Sequence, residues 1–444
     1  MPDCTNCKAV ANGRTDRHTD GMTAFSCADD FDPDALPLDA ARQRILAALQ
    51  PLPGRQCVAL REALNRVLAD DLRAPFDVPG HTHAVMDGYA LRAEDLPDGA
   101  ARTLRVIGKV FAGGRFSGRV GANECVRIMT GAPLPTGADA VVMQERCEPL
   151  QDDQVRIDAR HDSGRHLNIR RAGAAIRRGQ TALAAGRRLT AADLGVIASL
   201  GLGEVRVRRR PRVAFFSTGD ELQAVGGPPL PGQVYDSNRY TLYGMIRRLH
   251  CEAADLGVVD DHPGRLREAL RDAAAQADVV ITSGGVSVGE ADYTREALHE
   301  IGSVAFWKIA MKPGRPLTFG RLGAAPRAAW FFGLPGNPVS VMVTFRQLVQ
   351  PALQTLSGLT AQAPLTLTAM LTTTLNKRPG RIEFQRGVLE QDAAGALTVR
   401  STGDQGSGIL TSMSQANCLI VLAQDAAGAP AGSSVDVQPF CDVI

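Results

Sequence analysis

Long apolar runs are missing from this sequence. None of its 444 residues sits in a stretch approaching the run of roughly 18–20 apolar positions that a membrane span needs, so no spanning helix is expected. A charge excess of either sign is missing too. The 49 Lys and Arg against 47 Asp and Glu leave +2, which gives no electrostatic case for nucleic acid or an acidic membrane as partner. Aromatic residues are few, at 5%, and lysine is scarcer still. Lys8, Lys109, Lys308, Lys312 and Lys377 are the only lysines, so arginine carries nearly all the positive charge. The nine cysteines are odd in number and scattered, which argues against a disulfide framework and for a reduced cytoplasmic protein. The opening MPDCTNCKAVANGRTDRHTD is polar and lacks the apolar core of a signal peptide. G-x-x-x-x-G-K-[ST], G-x-G-x-x-G and H-E-x-x-H are absent, so the standard nucleotide and zinc-protease signatures give no help.

The length suggests roughly two to four domains. Residues 1–34 read as a polar N-terminal extension without periodicity. Cys4, Cys7, His18 and Cys27 have zinc-ligand chemistry, but the spacing of the last two is arbitrary, and stray cysteines in a tail are the commoner case. His81 and His83 have a chelating spacing but no third ligand, so an exposed loop is expected there. LDAARQRILAALQ predicts a helix with Ala40, Ile45, Leu46 and Leu49 on one face, and VALREALNRVLADD predicts a second. From Ala74 to about Gly179 short strands alternate with Gly and Pro turns, which predicts a β-rich module. Residues 212–355 alternate strand and helix, the pattern of a parallel sheet covered on both faces. From about Leu365 short strands return, which predicts a small barrel or sandwich. The fold class is therefore multi-domain, α/β and β, with a three-layer α/β domain as its centre.

In an open parallel sheet, ligands bind beyond the carboxyl ends of the strands. The loops after the five expected strands begin at Ser217-Thr218-Gly219-Asp220-Glu221, at Asp260-Asp261, at Ser283-Gly284-Gly285 with Ser287, Gly289 and Asp292, at Lys308 and Lys312, and at Pro335-Gly336-Asn337. Parallel strands point one way, so these loops should share a rim. Glycines there let backbone N–H groups approach an anion, and Asn337-Pro338 reads as a helix start that adds another anion site. Two of the five lysines stand four residues apart at this rim, as point-charge partners for phosphate. Glu221, Asp260 and Asp292 would repel phosphate on their own. A divalent cation removes the conflict, and Mg²⁺ commonly sits between one or two carboxylates and substrate phosphates. Singly, Asp292 could be a helix cap and Asp260 a turn residue.

MDGYA, RIMTGAPLPTGADAVVMQE, STGDEL, SGGVSVGEADY, KIAMKPGRPLTFG and GLPGNPVS, in this order, resemble the molybdopterin molybdenumtransferases, the MoeA-type enzymes related to the E domain of gephyrin. The resemblance runs from about Ala35 to the C-terminus. It implies four parts: an α/β domain similar to molybdopterin adenylyltransferase (35–54 and 210–362), a linking domain (55–73 and 180–209), a β-rich inserted domain (74–179) and a C-terminal β domain (363–444). It implies a homodimer in which the inserted domain reaches the partner's α/β domain, so that active sites are shared. The implied reaction inserts molybdate into adenylylated molybdopterin and releases AMP, assisted by Mg²⁺ assigned to Glu221 and Asp292. Molybdopterin adenylyltransferase is the implied delivery partner. Asp87 and Thr130 carry over from MDGYA and RIMTG, Asp87 as metal ligand or proton acceptor. Arg386 of FQRG and Ser407 of DQGSG carry over from the last domain, and join Lys308 and Lys312 as oxyanion candidates.

Two stretches depart from the family pattern. Ala174 and Ala175 stand where a Glu-Asp pair is usual, and HTHAV precedes MDGYA in place of Asn-Ser-Ala. They raise the alternative of a divergent paralogue that sequesters the pterin or handles tungstate. An adenylyltransferase is a third reading, against which the multi-domain match argues.

Overall fold

Residues 32, 34–159, 164, 166–285, 292–324, 328–440 and 444 are described by the computed structural model, with 292–296 described by backbone alone. Cys4, Cys7, His18, Cys27, Ser287 and Gly289 lie outside them. Among the described residues, five cysteines are free thiols and no helix is long and apolar enough to cross a membrane.

The central domain is built on β1 (Arg212–Thr218), β2 (Glu252–Val259), β3 (Val279–Ser283), β4 (Gly302–Lys308), β5 (Pro316–Leu322) and β6 (Ala329–Leu334). Their spatial order is β2-β1-β3-β6-β5-β4. The first four are mutually parallel, and β5 alone runs against its neighbours, so β4 points the same way as the parallel set. Side chains alternate across a strand, and β1 shows what that does here. Val213 and Phe215 pack with Ile281, Phe332 and helix α1 (Asn238–Arg248), while Ala214 and Phe216 pack with Val280, Phe331 and helix α2 (Pro263–Gln276). Helix α3 (Asp292–Ile301) buries Leu298 on the α2 side. The result is three layers, helix on sheet on helix. Each fully buried Leu, Ile or Phe contributes about 1.5–3 kcal/mol.

The strand β5 was hidden in sequence. Pro313 and Gly314 read as loop chemistry, yet from Pro316 onward the chain forms a seven-residue strand between β4 and β6. The expected second helix is also absent. Arg55–Ala59 is a strand paired antiparallel with Glu204–Arg208, followed by one 3₁₀ turn, Leu60–Glu62. Asn65 then takes a left-handed φ of 62°, which no helix continues. The apolar spacing that suggested a helix instead places Ala63, Leu68, Val205 and Val207 in one small core. The first helix, Leu38–Ala48, does form, with Leu38, Ala41, Ile45 and Leu49 buried.

The inserted β-rich sheet holds six strands between Gly88 and Ile157, with Tyr89, Leu91, Leu104, Val155 and Ile157 in its core. The C-terminal strands β7 (Leu367–Leu371), β8 (Ile382–Gln391), β9 (Leu397–Ser401), β10 (Cys418–Leu422) and β11 (Ser434–Pro439) pair in the circuit β8-β9-β7-β11-β10-β8. That circuit is a closed five-stranded barrel. Met311–Lys312, just beyond β4, pairs with Ile382–Glu383 at the start of β8, so the barrel is stitched to the central domain beside its lysines. On the other side, Leu36 forms a parallel bridge with Ile309, its N–H reaching the Lys308 carbonyl at 2.7 Å.

Candidate active site

A cleft of about 2030 Å³ lies between the carboxyl ends of the central strands and the barrel. Thr218, Gly219, Asp220 and Glu221 reach it from the end of β1, Ser283, Gly284 and Gly285 from β3, Lys308 from the end of β4 and Lys312 from just beyond it, and Pro335, Gly336 and Asn337 from β6. Arg386 and Ser407 face them from the barrel. Helix α4 (Pro338–Thr344) starts with Asn337 at its N-cap position, although no side-chain cap bond is made. Ser217 is wholly buried behind the wall and donates its hydroxyl to Asp236 at 3.1 Å.

Backbone shape sets the wall. Gly284 has φ +93°, and a Cβ there would stand 2.4 Å from the Thr218 carbonyl oxygen. Gly284→Ala is expected to lower stability by roughly 2–4 kcal/mol. A fall in the urea midpoint at constant slope is the readout, and Gly203→Ala, where a Cβ meets nothing within 4 Å, is the control. Gly219 has φ +148°, and its missing Cβ leaves room for the Glu221 carboxylate, which would otherwise lie 2.5 Å away.

The cations of the cleft arrive already paired. Lys308 Nζ lies 3.2 Å from Asp32 Oδ2, and Arg315 Nη2 lies 2.7 Å from the same oxygen. Lys312 Nζ lies 3.7 Å from Glu383 Oε1, on the barrel strand that pairs with Met311–Lys312. The Lys308 contact comes first in holding the Asp32 carboxyl below the usual carboxylate range, with the Asp34 N–H adding to it. Arg386 is 1% exposed. Its Nε donates to Ser412 Oγ at 2.9 Å, and its Nη2 to the carbonyls of Gly406 at 2.9 Å and Asp404 at 3.3 Å. Burial pulls its pKa down to about 10, which leaves it a cation at neutral pH. Arg386 therefore shapes the 404–407 loop as well as lining the cleft. Ser407 anchors that loop by accepting from the Val339 N–H at 3.1 Å.

Acidic groups form the opposite wall. Asp220, Glu221, Asp236 and Asp261 all line the cleft. Asp260 departs from the expected position. Its carboxylate is drawn into an ion pair with Arg265, in the first turn of α2, and it is Asp261 that lines the wall. Successive residues leaving a strand point to opposite sides, which accounts for the exchange. Asp292 begins α3, and its side chain lies outside the described residues. Asp236 and Asn238 were not foreseen in the sequence. Asp236 is 1% exposed, and its Oδ2 makes no hydrogen bond among the described residues, with Arg239 Nε at 3.5 Å. Asn238 donates to Ser283 Oγ at 2.8 Å and to the Gly336 carbonyl at 2.6 Å, tying two rim loops together, while its own Oδ1 is unpartnered among the described residues. Their only sequence signal was an Asp-Ser-Asn run at a helix start, which reads as capping.

No three His, Cys, Asp or Glu side chains among the described residues come together to hold a metal by themselves. The hard carboxylate oxygens of this wall, with the Asp236 oxygen that makes no hydrogen bond among the described residues, still suit Mg²⁺, which takes one or two carboxylates and completes its shell with ligand phosphates and water.

Asp87 and Thr130 are placed elsewhere. Asp87 is half-buried and Thr130 exposed on the inserted domain, and neither lines this chain's cleft. Asp87 Oδ1 accepts from both the backbone N–H and the hydroxyl of Thr130, each at 2.7 Å. The backbone bond leads in holding the Asp87 carboxyl below its usual range, so it is ionised at neutral pH and loses the contact only in strong acid. An ionised carboxylate accepts protons rather than supplying them. Ala174 and Ala175 lie exposed on a turn of the same domain, the Ala175 N–H donating to Val78 at 2.9 Å. His81 is exposed and His83 half-buried, with ring centroids 5.8 Å apart.

Three family descriptions match the chain in sequence: MoeA N-terminal region (domain I and II) over residues 36–201, probable molybdopterin binding domain over 214–355, and MoeA C-terminal region (domain IV) over 368–440. The chain is 44% identical over 407 residues to the molybdopterin molybdenumtransferase of Haemophilus influenzae, covering 91% of this chain and 98% of that protein. The chain belongs to the molybdopterin molybdenumtransferase (MoeA) family. A family member from Nostoc is 36% identical, with 83% of this chain and 84% of that protein covered. Among solved structures, the MoeA protein of Pyrococcus horikoshii superposes with a TM-score of 0.79 at 28% identity, over 91% of this chain and 100% of that one. A second structure of the molybdopterin biosynthesis MoeA protein from that organism gives 0.75 at 31% identity, with 91% of this chain and 99% of that one covered.

Proposed function

We propose that this chain is a molybdopterin molybdenumtransferase that takes adenylylated molybdopterin and molybdate, places molybdenum on the pterin dithiolene and releases AMP. The observation that carries the reading is the cleft itself, where lysines beyond β4 and Arg386 of the barrel face a wall of carboxylates and glycine-rich backbone. Such a cleft can hold a pyrophosphate link along one wall and a tetrahedral dianion between the cations. Glu221 and Asp292 would hold Mg²⁺, which when bound supplies charge to offset the phosphates. Lys308 and Lys312 orient the oxyanion and stabilise charge that develops as the pyrophosphate link is broken. The loop from Thr218 to Glu221 and the Gly284-Gly285 turn bind the anionic end of the pterin. Ser287, Gly289 and Asp292 keep in this reading the roles expected of them from the sequence.

Asp87 and Thr130 act on the cleft of a second copy, which makes the working unit a homodimer with shared sites. The reaction must be supplied by one that adenylylates molybdopterin, so an adenylyltransferase is the natural donor, and the cytoplasm the natural compartment. The sequence departures at Ala174 and Ala175 do not touch the cleft of their own chain.

The test is direct. Purified protein given adenylylated molybdopterin, Mg²⁺ and molybdate is expected to release AMP, measured by chromatography. Omitting molybdate or chelating Mg²⁺ is expected to lower the rate by at least about ten-fold. Parallel reactions with tungstate set the oxyanion preference. AMP release no faster than in the absence of protein rejects the reading.

A further inference from the structure

We propose that Asp32, supplied by the segment ahead of the first helix, is a specificity-determining residue of the cleft: its carboxylate is a resident counter-anion for Lys308 and Arg315, and an incoming oxyanion must compete with it. The proposal rests on the reading of the cleft as an oxyanion site.

The carboxylate is built into place. Leu36 bridges to Ile309, with the Leu36 N–H on the Lys308 carbonyl at 2.7 Å and the Ala310 N–H on the Leu36 carbonyl at 2.8 Å. Upstream of that bridge the chain turns, the Ala35 N–H reaching the Asp32 carbonyl at 3.1 Å and the Asp34 N–H reaching Asp32 Oδ1 at 3.0 Å. One carboxylate oxygen thus satisfies the turn while the other, Oδ2, faces both cations. The Asp32 side chain is 17% exposed against 51% for Lys308, so the aspartate is the more covered partner of the pair.

Two effects of this contact oppose each other. Asp32 restrains a flexible lysine, which favours ligand binding by removing an ordering cost. It also cancels one of two positive charges at contact distance, which disfavours anion binding. Lys308 sits in the same β4 extension whichever way its tip points, so the restraint is worth little. Direct charge cancellation at 2.7 and 3.2 Å is the larger effect. Asp32 therefore keeps simple anions off these cations. A doubly charged tetrahedral oxyanion that also reaches Lys312 offers more than the carboxylate does. The cleft consequently discriminates by charge and by number of simultaneous contacts.

The experiment is calorimetric titration of molybdate, and separately of sulfate, into the full-length protein and into Asp32→Asn. Asp32→Ser serves as a second variant that keeps an oxygen for the turn, and thermal melts verify folding of both. The neutral variants are expected to bind molybdate about ten-fold tighter than the native protein, with a larger gain for sulfate, and both gains shrinking as salt rises. Adding Lys308→Ala to Asp32→Asn is expected to abolish the gain. Unchanged or weaker binding in both variants overturns the proposal, as does an absence of binding by all of them. AMP release measured on the same native preparation judges the enzyme reading separately, since the titrations do not depend on turnover.

Discussion

Replacing Lys312 with methionine is expected to lower kcat/KM for AMP release by about 10²–10³-fold, the loss typical when one preorganised partner of a developing anion is removed. The structure supplies a reason to separate this from a folding defect. Lys312 Nζ is 3.7 Å from Glu383, whose side chain is only 8% exposed and which also accepts from Gln385 at 2.9 Å. Lys312→Met leaves that carboxylate covered without its cation, so a stability loss is expected alongside the catalytic one. The double variant Lys312→Met with Glu383→Gln removes both charges. Its melting temperature should recover toward that of the native protein, while AMP release stays low. Lys312→Arg keeps charge but not the compact ammonium, and should recover only part of the rate. A double variant with near-native turnover would show that Lys312 is there to pair with Glu383 and has no part in the chemistry.

How far the sequence disclosed this site depends on the distance over which its residues act. The loops after β1, β3, β4 and β6 were legible because each follows an apolar strand and because parallel strands end on one side; that rule is local in sequence and global in space. The same rule passed over β5. An antiparallel strand inserted between β4 and β6 carries no helix to announce it, and its flanking prolines read as loop. The counter-ions were not legible at all. Asp32 lies 276 residues from Lys308, and Glu383 meets Lys312 only because the barrel strand β8 pairs with Met311–Lys312. Composition shows that lysine is scarce but not that each cleft lysine arrives with a carboxylate. Asp260 and Asp261 show the limit at single-residue scale. Adjacent and chemically identical, they are told apart only by which way the chain leaves β2, and Arg265 holds the former.

The placement of Asp87 and Thr130 leads to an outcome that no single-chain site allows. Asp87 is fixed by two bonds from Thr130, both at 2.7 Å, yet neither residue lines the cleft of its own chain. If they serve the cleft of a second copy, Asp87→Ala and Lys312→Ala should each abolish most AMP release as pure proteins, and a mixture of the two should regain it. In a mixed dimer, one composite site carries both defects and the other carries neither. Random reassociation makes half the dimers mixed, so recovery of about a quarter of the native activity is expected after subunit exchange. Differently tagged chains, co-purified through both tags, isolate the mixed dimer and should raise recovery to about half per dimer. Mixtures that stay as inactive as their parents would confine each site to one chain. A stable monomer at assay concentration with full turnover would do the same. The result is informative because it depends on geometry alone: any account in which each site is built from one chain forbids recovery by exchange.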